Sequence, residues 1–133
     1  MSERLRQFIR NRATFRCEYC HFREEDIPLW PFHIDHIISQ QHAGPTEVEN
    51  LAWACQRCNL CKGTNLTGFD PESGQIVRLF NPRSQAWEEH FQSKGHLIIG
   101  QTPIGRATIF LLQMNCPARQ ELRGELIALG VWP

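Results

Sequence analysis

The sequence predicts an α+β fold, on three observations. An arginine-rich amphipathic helix pattern opens the chain, strand-like segments alternate with two Cys-x-x-Cys motifs, and further helix and strand patterns follow to the end. The chain has 133 residues, which is enough for one domain with a modest core and too few for two ordinary ones. We therefore expect a single domain over residues 1–133, with a core at residues 17–63 and a C-terminal α/β elaboration at residues 64–133.

The composition is typical of a globular protein, since 41% of the residues are hydrophobic and 21% are charged. No apolar run approaches the length of a membrane span, and the first residues do not form a signal peptide. We therefore expect a cytoplasmic protein, in which the six cysteines bind metal or stay free instead of forming disulfides. The formal net charge is zero, so composition alone indicates no nucleic-acid partner.

The first element is predicted to be a helix with Ser2 as its cap and an apolar stripe formed by Leu5, Phe8, Ile9 and Ala13. Its other face is rich in arginine, at Arg4, Arg6, Arg10, Arg12 and Arg16. Charge alone favours a solvated helix face. Contact with phosphates is the alternative, provided that a nucleic-acid site lies nearby.

Two Cys-x-x-Cys pairs predict a structural zinc site with four thiolate ligands. Four sulfur ligands close the coordination sphere, so the ion would stabilise the fold and offer no position to a substrate. A redox dithiol explains two matched pairs less well. Cys61 competes with Cys58 because Cys58-x-x-Cys61 has the same spacing, and Cys116 is expected to be a plain buried cysteine. The preferred ligands are Cys17, Cys20, Cys55 and Cys58.

The segment between the two cysteine pairs is predicted to form a β-hairpin. Pro28 and Pro31 exclude a helix interior and lead into a strand at residues 32–38. A polar loop at residues 39–46 follows, and residues 47–54 return as a second apolar segment. A short helix is then expected after Cys55, with Gly63 as its terminator.

Residues 64–133 carry a second set of patterns. Residues 75–80 and 96–100 are strand candidates, whereas residues 84–91 have Trp87 and Phe91 at helical spacing. Residues 108–114 fit either a buried strand or part of a helix. A closing helix is predicted to begin at Pro117, with Leu122, Leu126 and Leu129 on its apolar face.

Asp35 and His36 stand side by side at the centre of the first predicted strand. A carboxylate is a hard oxygen ligand for a divalent cation, and an imidazole, which titrates close to cellular pH, can accept a proton from water. Such a pair alone is more often a surface hydrogen-bonding couple. The pair gains weight only from the residues that accompany it.

Three fragments accompany one another in a fixed order: His33-Ile34-Asp35-His36-Ile37-Ile38, Glu49-Asn50-Leu51, and Cys55-Gln56-Arg57-Cys58-Asn59-Leu60-Cys61-Lys62-Gly63. Together with the first cysteine pair they resemble the HNH (His-Asn-His) endonuclease family over residues 17–63. The resemblance implies a ββα-metal (His-Me finger) core stapled by zinc. Asn59 replaces the last histidine of the family name, as in the HNN variant.

The resemblance also implies roles for individual residues. His36 would be the general base, Asp35 and Asn59 would bind the catalytic Mg²⁺ or Mn²⁺, and Asn50 would orient His36 through backbone hydrogen bonds. His33 is a candidate additional ligand, although a supporting partner role is as well founded. The implied activity is one-metal hydrolysis of DNA phosphodiester bonds, with double-stranded DNA as the expected substrate.

Two further expectations concern phosphates and the competing function. Arg57 and Lys62 flank the predicted metal-binding helix, where they would either hold phosphates or lie in solvent. The alternative function is a zinc-stapled module that binds nucleic acid without cleaving it.

Overall fold

The computed structural model describes residues 1–133 and combines helices with short antiparallel strands, which is compatible with the predicted α+β class. Its strands form three separate two-stranded sheets, β1 with β2, β3 with β4, and β5 with β6. The helices are α1 (Glu3–Arg12), α2 (Gln56–Lys62), α3 (Trp87–His90), α4 (Pro103–Leu112) and α5 (Pro117–Ala128). The strands are β1 (His33–His36), β2 (Leu51–Ala54), β3 (Thr67–Phe69), β4 (Ile76–Arg78), β5 (Phe91–Lys94) and β6 (Leu97–Gly100).

The chain divides into two compact units, which we describe separately. The first contains Met1–Leu66 and Asn81–Ser84, and the second contains Thr67–Phe80 and Gln85–Pro133. The expectation of a single domain stays a prediction. None of the helices combines the length and the apolar character that crossing a membrane requires.

Helix α1 begins where the sequence predicts, because the Ser2 hydroxyl accepts a hydrogen bond from the Leu5 N–H at 3.1 Å. Ile9 and Ala13 are buried as expected. Phe8 is 50% exposed, so its assignment to the apolar stripe is wrong. The Arg12 guanidinium lies over its ring, 5.5 Å from the centroid, and shields it in place of a core neighbour.

Three of the five N-terminal arginines are tied to other parts of the first unit, which the sequence does not indicate. Their partners are the Phe32 carbonyl for Arg6, the Glu24 carboxylate for Arg10, and the Val48 and Leu51 carbonyls for Arg12. Hydrogen bonds of this kind to a charged donor stabilise the fold more than neutral ones. These three arginines are therefore neither a solvated face nor a free phosphate-binding surface.

The predicted hairpin is present, as antiparallel strands β1 and β2 with His33 opposite Ala54 and His36 opposite Leu51. All four residues of β2 are buried, whereas Asp35 is the only fully buried residue of β1. Helix α2 follows directly and ends at Gly63, whose φ of 52° lies in the left-handed region that favours glycine. The hairpin and α2 thus stand in the order that the sequence predicts.

In the second unit, the structure adds two strands that the sequence pattern misses, β3 and β5. Strand β3 contains only three residues. The sequence pattern predicts Phe91 as part of a helix, but helix α3 ends at His90 and Phe91 begins strand β5. Residues 108–114 belong largely to helix α4, which starts earlier at Pro103 under a Thr102 cap. The helical alternative for that segment is therefore correct.

Helix α5 begins at Pro117 as predicted and buries Leu126, but Leu129 is 75% exposed because the helix ends at Ala128. Two buried arginines, Arg119 and Arg123, precede Leu126 at the spacing of one helix face. They donate to the Leu112 and Met114 carbonyls at the end of α4, where the helix leaves carbonyls without helical partners. Cys116 is half-buried, not fully buried as expected.

Candidate functional site

Four buried cysteines converge in the first unit. The Sγ atoms of Cys17, Cys20, Cys55 and Cys58 all lie within 4.8 Å of one another. Cys61 is outside this group and half-buried, which decides between the two alternatives in favour of Cys58. Four sulfurs at this spacing fit a tetrahedral zinc site of the structural type.

Local geometry prepares the thiols as ligands. The Cys20 N–H points at Cys17 Sγ at 3.5 Å, and the Cys58 N–H points at Cys55 Sγ at 3.4 Å. Burial raises the pKa of Cys17 and of Cys58 well above the usual thiol value. Four thiolates would not persist in this environment without a cation, so metal binding and deprotonation must occur together.

Asp35 lies in the interior beneath the hairpin, with a partner on each carboxylate oxygen. The Tyr19 hydroxyl donates to Oδ2 at 2.6 Å, and the Lys62 ammonium donates to Oδ1 at 3.1 Å. Desolvation by burial raises the pKa of Asp35 despite the opposing effects of Lys62 and Tyr19. The pKa of Tyr19 is also raised, first by burial and then by the Asp35 charge.

Neither partner of Asp35 was assigned from the sequence. Tyr19 lies inside the first Cys-x-x-Cys motif, and Lys62 was expected either to hold phosphates or to lie in solvent. Lys62 is instead buried, and both expectations for it are wrong in this structure. A lysine three residues after Asn59 would share its side of a helix, which was the available signal. Arg57, on the same helix, is exposed.

His36 is half-buried and leaves β1 on the opposite face from Asp35, as adjacent strand residues do. Its Nε2 atom lies 2.9 Å from the Thr46 hydroxyl, which belongs to the loop between the two strands. Its backbone carbonyl accepts a hydrogen bond from Lys62 Nζ at 3.0 Å. The loop therefore holds the imidazole of His36 through Thr46, and α2 holds the backbone of His36 through Lys62.

Asn50 closes that loop. Its Oδ1 accepts from the Ile38 N–H, and its Nδ2 donates to the Ile38 and Pro45 carbonyls, each at 2.9 Å. A Cβ atom at Gly44 would lie 1.7 Å from the Ile38 oxygen, so the loop requires glycine there. The result is that Pro45, and Thr46 beside it, have a fixed position relative to the end of β1.

Asn59 and His33 are half-buried, and neither side chain has a hydrogen-bond partner within the protein. Asn59 lies in α2, where its backbone N–H bonds the Cys55 carbonyl at 3.0 Å. His33, Asp35 and His36 do not form a second cluster of potential metal ligands comparable to the cysteine group. Asn59 and His33 therefore offer free donors, whereas Asp35 is already engaged.

The short segment Asn81–Ser84 also contributes to the first unit. Arg83 donates to the Glu18 carboxylate and, at 3.2 Å, to the Leu51 carbonyl. The second oxygen of Glu18 accepts from the Trp53 N–H at 2.8 Å. Because Glu18 lies between the first two cysteines, this contact links Arg83 to the cysteine cluster and to β2.

Comparison with known families gives a match. Residues 17–65 match the family model described as HNH endonuclease. Searches of curated proteins and of solved structures returned no match. The matched segment contains the four cysteines, the β1–β2 hairpin and α2. It agrees with the resemblance inferred from the sequence, and the similarity to the HNH endonuclease family is thereby confirmed over residues 17–65.

Proposed function

We propose that this protein is a metal-dependent endonuclease that hydrolyses phosphodiester bonds of double-stranded DNA. The observation that carries the proposal is the HNH match over residues 17–65, which contains every residue to which we assign a role. The proposal treats the β1–β2 hairpin and α2 as a ββα-metal core, within a single domain of 133 residues in the cytoplasm.

In this proposal His36 is the general base. It is half-buried, so a water molecule can reach it, and Thr46 holds Nε2 at 2.9 Å in the resting site. His36 would exchange this contact for the attacking water and take its proton. Asn50 is a positioning residue, since its three backbone hydrogen bonds fix the loop that carries Thr46.

Asp35 and Asn59 are the proposed ligands of one Mg²⁺ or Mn²⁺, with His33 as a candidate third. The donor set fits a hard cation, because it combines a carboxylate, an amide oxygen and one imidazole. Asn59 and His33 are free to bind, whereas Lys62 would have to yield at Asp35. Such an ion would stabilise the negative charge that develops on the scissile phosphate.

The four cysteines hold zinc in a structural role. The cluster joins the segment before the hairpin to the start of α2, and so brings Asn59 near the strand that carries Asp35 and His36. The zinc would have no open position, so it takes no part in the hydrolysis.

One observation favours the second candidate, a zinc-stapled module that binds nucleic acid without cleavage. Both oxygens of Asp35 have protein partners, as in a carboxylate that serves only the fold. That function, however, gives no role to the half-buried imidazole of His36. The binding module is therefore the second candidate and the endonuclease the first.

A plasmid-nicking assay with Mg²⁺ or Mn²⁺ separates the two functions. We expect the parent protein to nick plasmid DNA and His36→Ala to lose at least about 100-fold in rate, the usual contribution of a general base. His42→Ala is the matched control, because His42 is exposed in the same loop and makes no contact with the proposed site. Equal cutting by the parent and His36→Ala would reject His36 as the base. DNA binding without cutting under either metal would select the binding module.

A further inference from the structure

The proposed catalysis gives no role to the charge of Lys62, which forms a buried ion pair with Asp35. Lys62 Nζ donates to Asp35 Oδ1 at 3.1 Å and to the His36 carbonyl at 3.0 Å. The side chains are only 2% and 4% exposed, respectively, so water does not screen the pair. A lysine is rarely so deeply buried, and here its charge is balanced by a single carboxylate.

The two oxygens of Asp35 have partners of different kinds. Oδ2 accepts a neutral hydroxyl from Tyr19, whereas Oδ1 faces the positive charge of Lys62. A neutral donor leaves the carboxylate charge available to a cation. An ammonium group at 3.1 Å neutralises that charge and repels any second cation that approaches the same oxygen.

We propose that Lys62 is an internal counter-cation of Asp35, which the catalytic divalent cation must displace from Oδ1. The inference rests on the proposed function, from which it takes Asp35 as a metal ligand. Lys62 and the divalent cation then compete for one carboxylate, and each binds Asp35 at the expense of the other. The lysine satisfies Asp35 in the metal-free protein and lowers its affinity for the ion.

The position of Lys62 allows this displacement. It is the last residue of α2, and the next residue, Gly63, is exposed and has a φ of 52°. Its ammonium group sits on a flexible four-carbon stem, so the charge can move without unwinding the helix. Tyr19 lies in the cysteine motif and stays on Oδ2, where it continues to orient the carboxylate.

Binding of Mn²⁺ to the zinc-loaded protein, measured from the electron paramagnetic resonance signal of the free ion, tests the competition without any DNA or turnover. We expect Lys62→Met, which keeps the stem and removes the charge, to bind Mn²⁺ about tenfold more tightly than the parent or better. Lys94→Met is the matched control, since Lys94 is the only other lysine and is exposed on β5. Tyr19→Phe removes the neutral partner of Asp35 and should not tighten binding.

The double variant Asp35→Ala/Lys62→Met, in which position 35 offers no metal-binding oxygen and both charges are removed, gives the background from ions bound elsewhere. Parent and Lys62→Met affinities that are equal, yet both above this background, would overturn the competition and leave Asp35 as a ligand. A double variant that binds as tightly as the parent would instead reject Asp35 as a ligand and, with it, the cation site of the proposed function.

A second measurement covers the case in which Lys62→Met fails to fold, as judged by zinc content and circular dichroism. We expect a crystal structure of the parent protein with Mn²⁺ to show the ion on Asp35 and Lys62 Nζ beyond hydrogen-bond distance of Oδ1. An ion on Asp35 with the lysine contact intact would overturn the inference. Crystals soaked with Mn²⁺ that show no ion at Asp35 would reject both the inference and the ligand assignment.

Discussion

The side-chain amide of Asn50 and the backbone of Ile38 exchange two hydrogen bonds, one in each direction and both at 2.9 Å. Asn50 thereby acts as a pairing partner for Ile38 just beyond β1, where the regular strand pairing ends. The same amide also holds the Pro45 carbonyl, so one buried side chain fixes both the start and the middle of the loop.

Replacement of Asn50 by alanine should reduce both stability and cutting. The change removes the partner of three partly buried backbone groups, and we expect a loss of about 2–3 kcal/mol in the free energy of unfolding. DNA nicking should fall as well, because Thr46 loses its fixed position beside His36. Denaturant unfolding and the nicking assay measure the two effects. Asn11→Ala, at an exposed position of α1, is the control. An Asn50→Ala protein with full stability would contradict the proposed loop closure.

The choice between Cys58 and Cys61 as the fourth ligand can be measured directly. We expect about one tightly bound zinc per chain in the parent protein, and loss of both zinc and folded structure in Cys58→Ser. Cys61→Ser should keep the zinc, because its thiol lies outside the cluster. Metal analysis and circular dichroism provide the readouts. Zinc retained in Cys58→Ser and lost in Cys61→Ser would reverse the assignment.

Arg12 is expected to act in the stability of the first unit and not in DNA affinity. It donates to the Val48 and Leu51 carbonyls at 2.9 and 2.6 Å. We expect Arg12→Met to lower the free energy of unfolding by about 1–3 kcal/mol, as for lost hydrogen bonds of a charged donor. Arg4→Met, at an exposed position of the same helix, should change it by less than about 0.5 kcal/mol. Equal effects of the two substitutions in urea unfolding would show that the Arg12 contacts contribute nothing.

Acid should destabilise the second unit through Asp70. Two nitrogens of Arg106 and the Ser73 hydroxyl donate to this carboxylate, and they hold its pKa well below the usual range. Because the folded pKa is the lower one, the stabilisation is present above the unfolded pKa of about 4 and is lost as the pH falls below it. Asp70→Asn should therefore flatten the pH dependence of unfolding between about pH 5 and pH 2.

Glu72→Gln is the matched control for Asp70. Glu72 also contacts Arg106, at 3.2 Å, but its side chain is 72% exposed and is therefore screened by water. We expect its acid unfolding curve to follow that of the parent protein. A parent-like curve for Asp70→Asn would mean that the ion pair with Arg106 does not stabilise the fold.

The core of the first unit could be predicted from sequence because each of its elements carries a local signal. Cysteine spacing indicates the metal cluster, strand alternation indicates β1, and Ser2 and Gly63 mark where helices begin and end. The strands β3 and β5 carry almost no such signal. Strand β3 has three residues with exposed ends, and β5 exposes Gln92 and Lys94, so neither shows a clear apolar period.

The sequence predicts a set of candidate site residues, and it does not predict the contacts that these residues make. Asp35, His36, Asn50 and Asn59 were chosen from the sequence, and the structure places all four in the β1–β2 hairpin, its loop and α2. The partners Tyr19 and Lys62 were missed, because a buried ion pair depends on tertiary packing that periodicity does not encode. The structural use of Arg6, Arg10 and Arg12 was missed for the same reason.

Helix α2 has seven residues, a length at which an isolated helix melts in water. Its first turn is fixed by Cys55 and Cys58 in the cysteine cluster, and its last residue is fixed by the contact of Lys62 with Asp35. A helix this short cannot outlast the release of its first turn from the metal, whereas release of Lys62 from Asp35 leaves that attachment in place. Amide hydrogens along α2 should therefore exchange with solvent in a single cooperative opening, so that the turn carrying Asn59 is folded in every molecule that retains its metal and in none that has lost it.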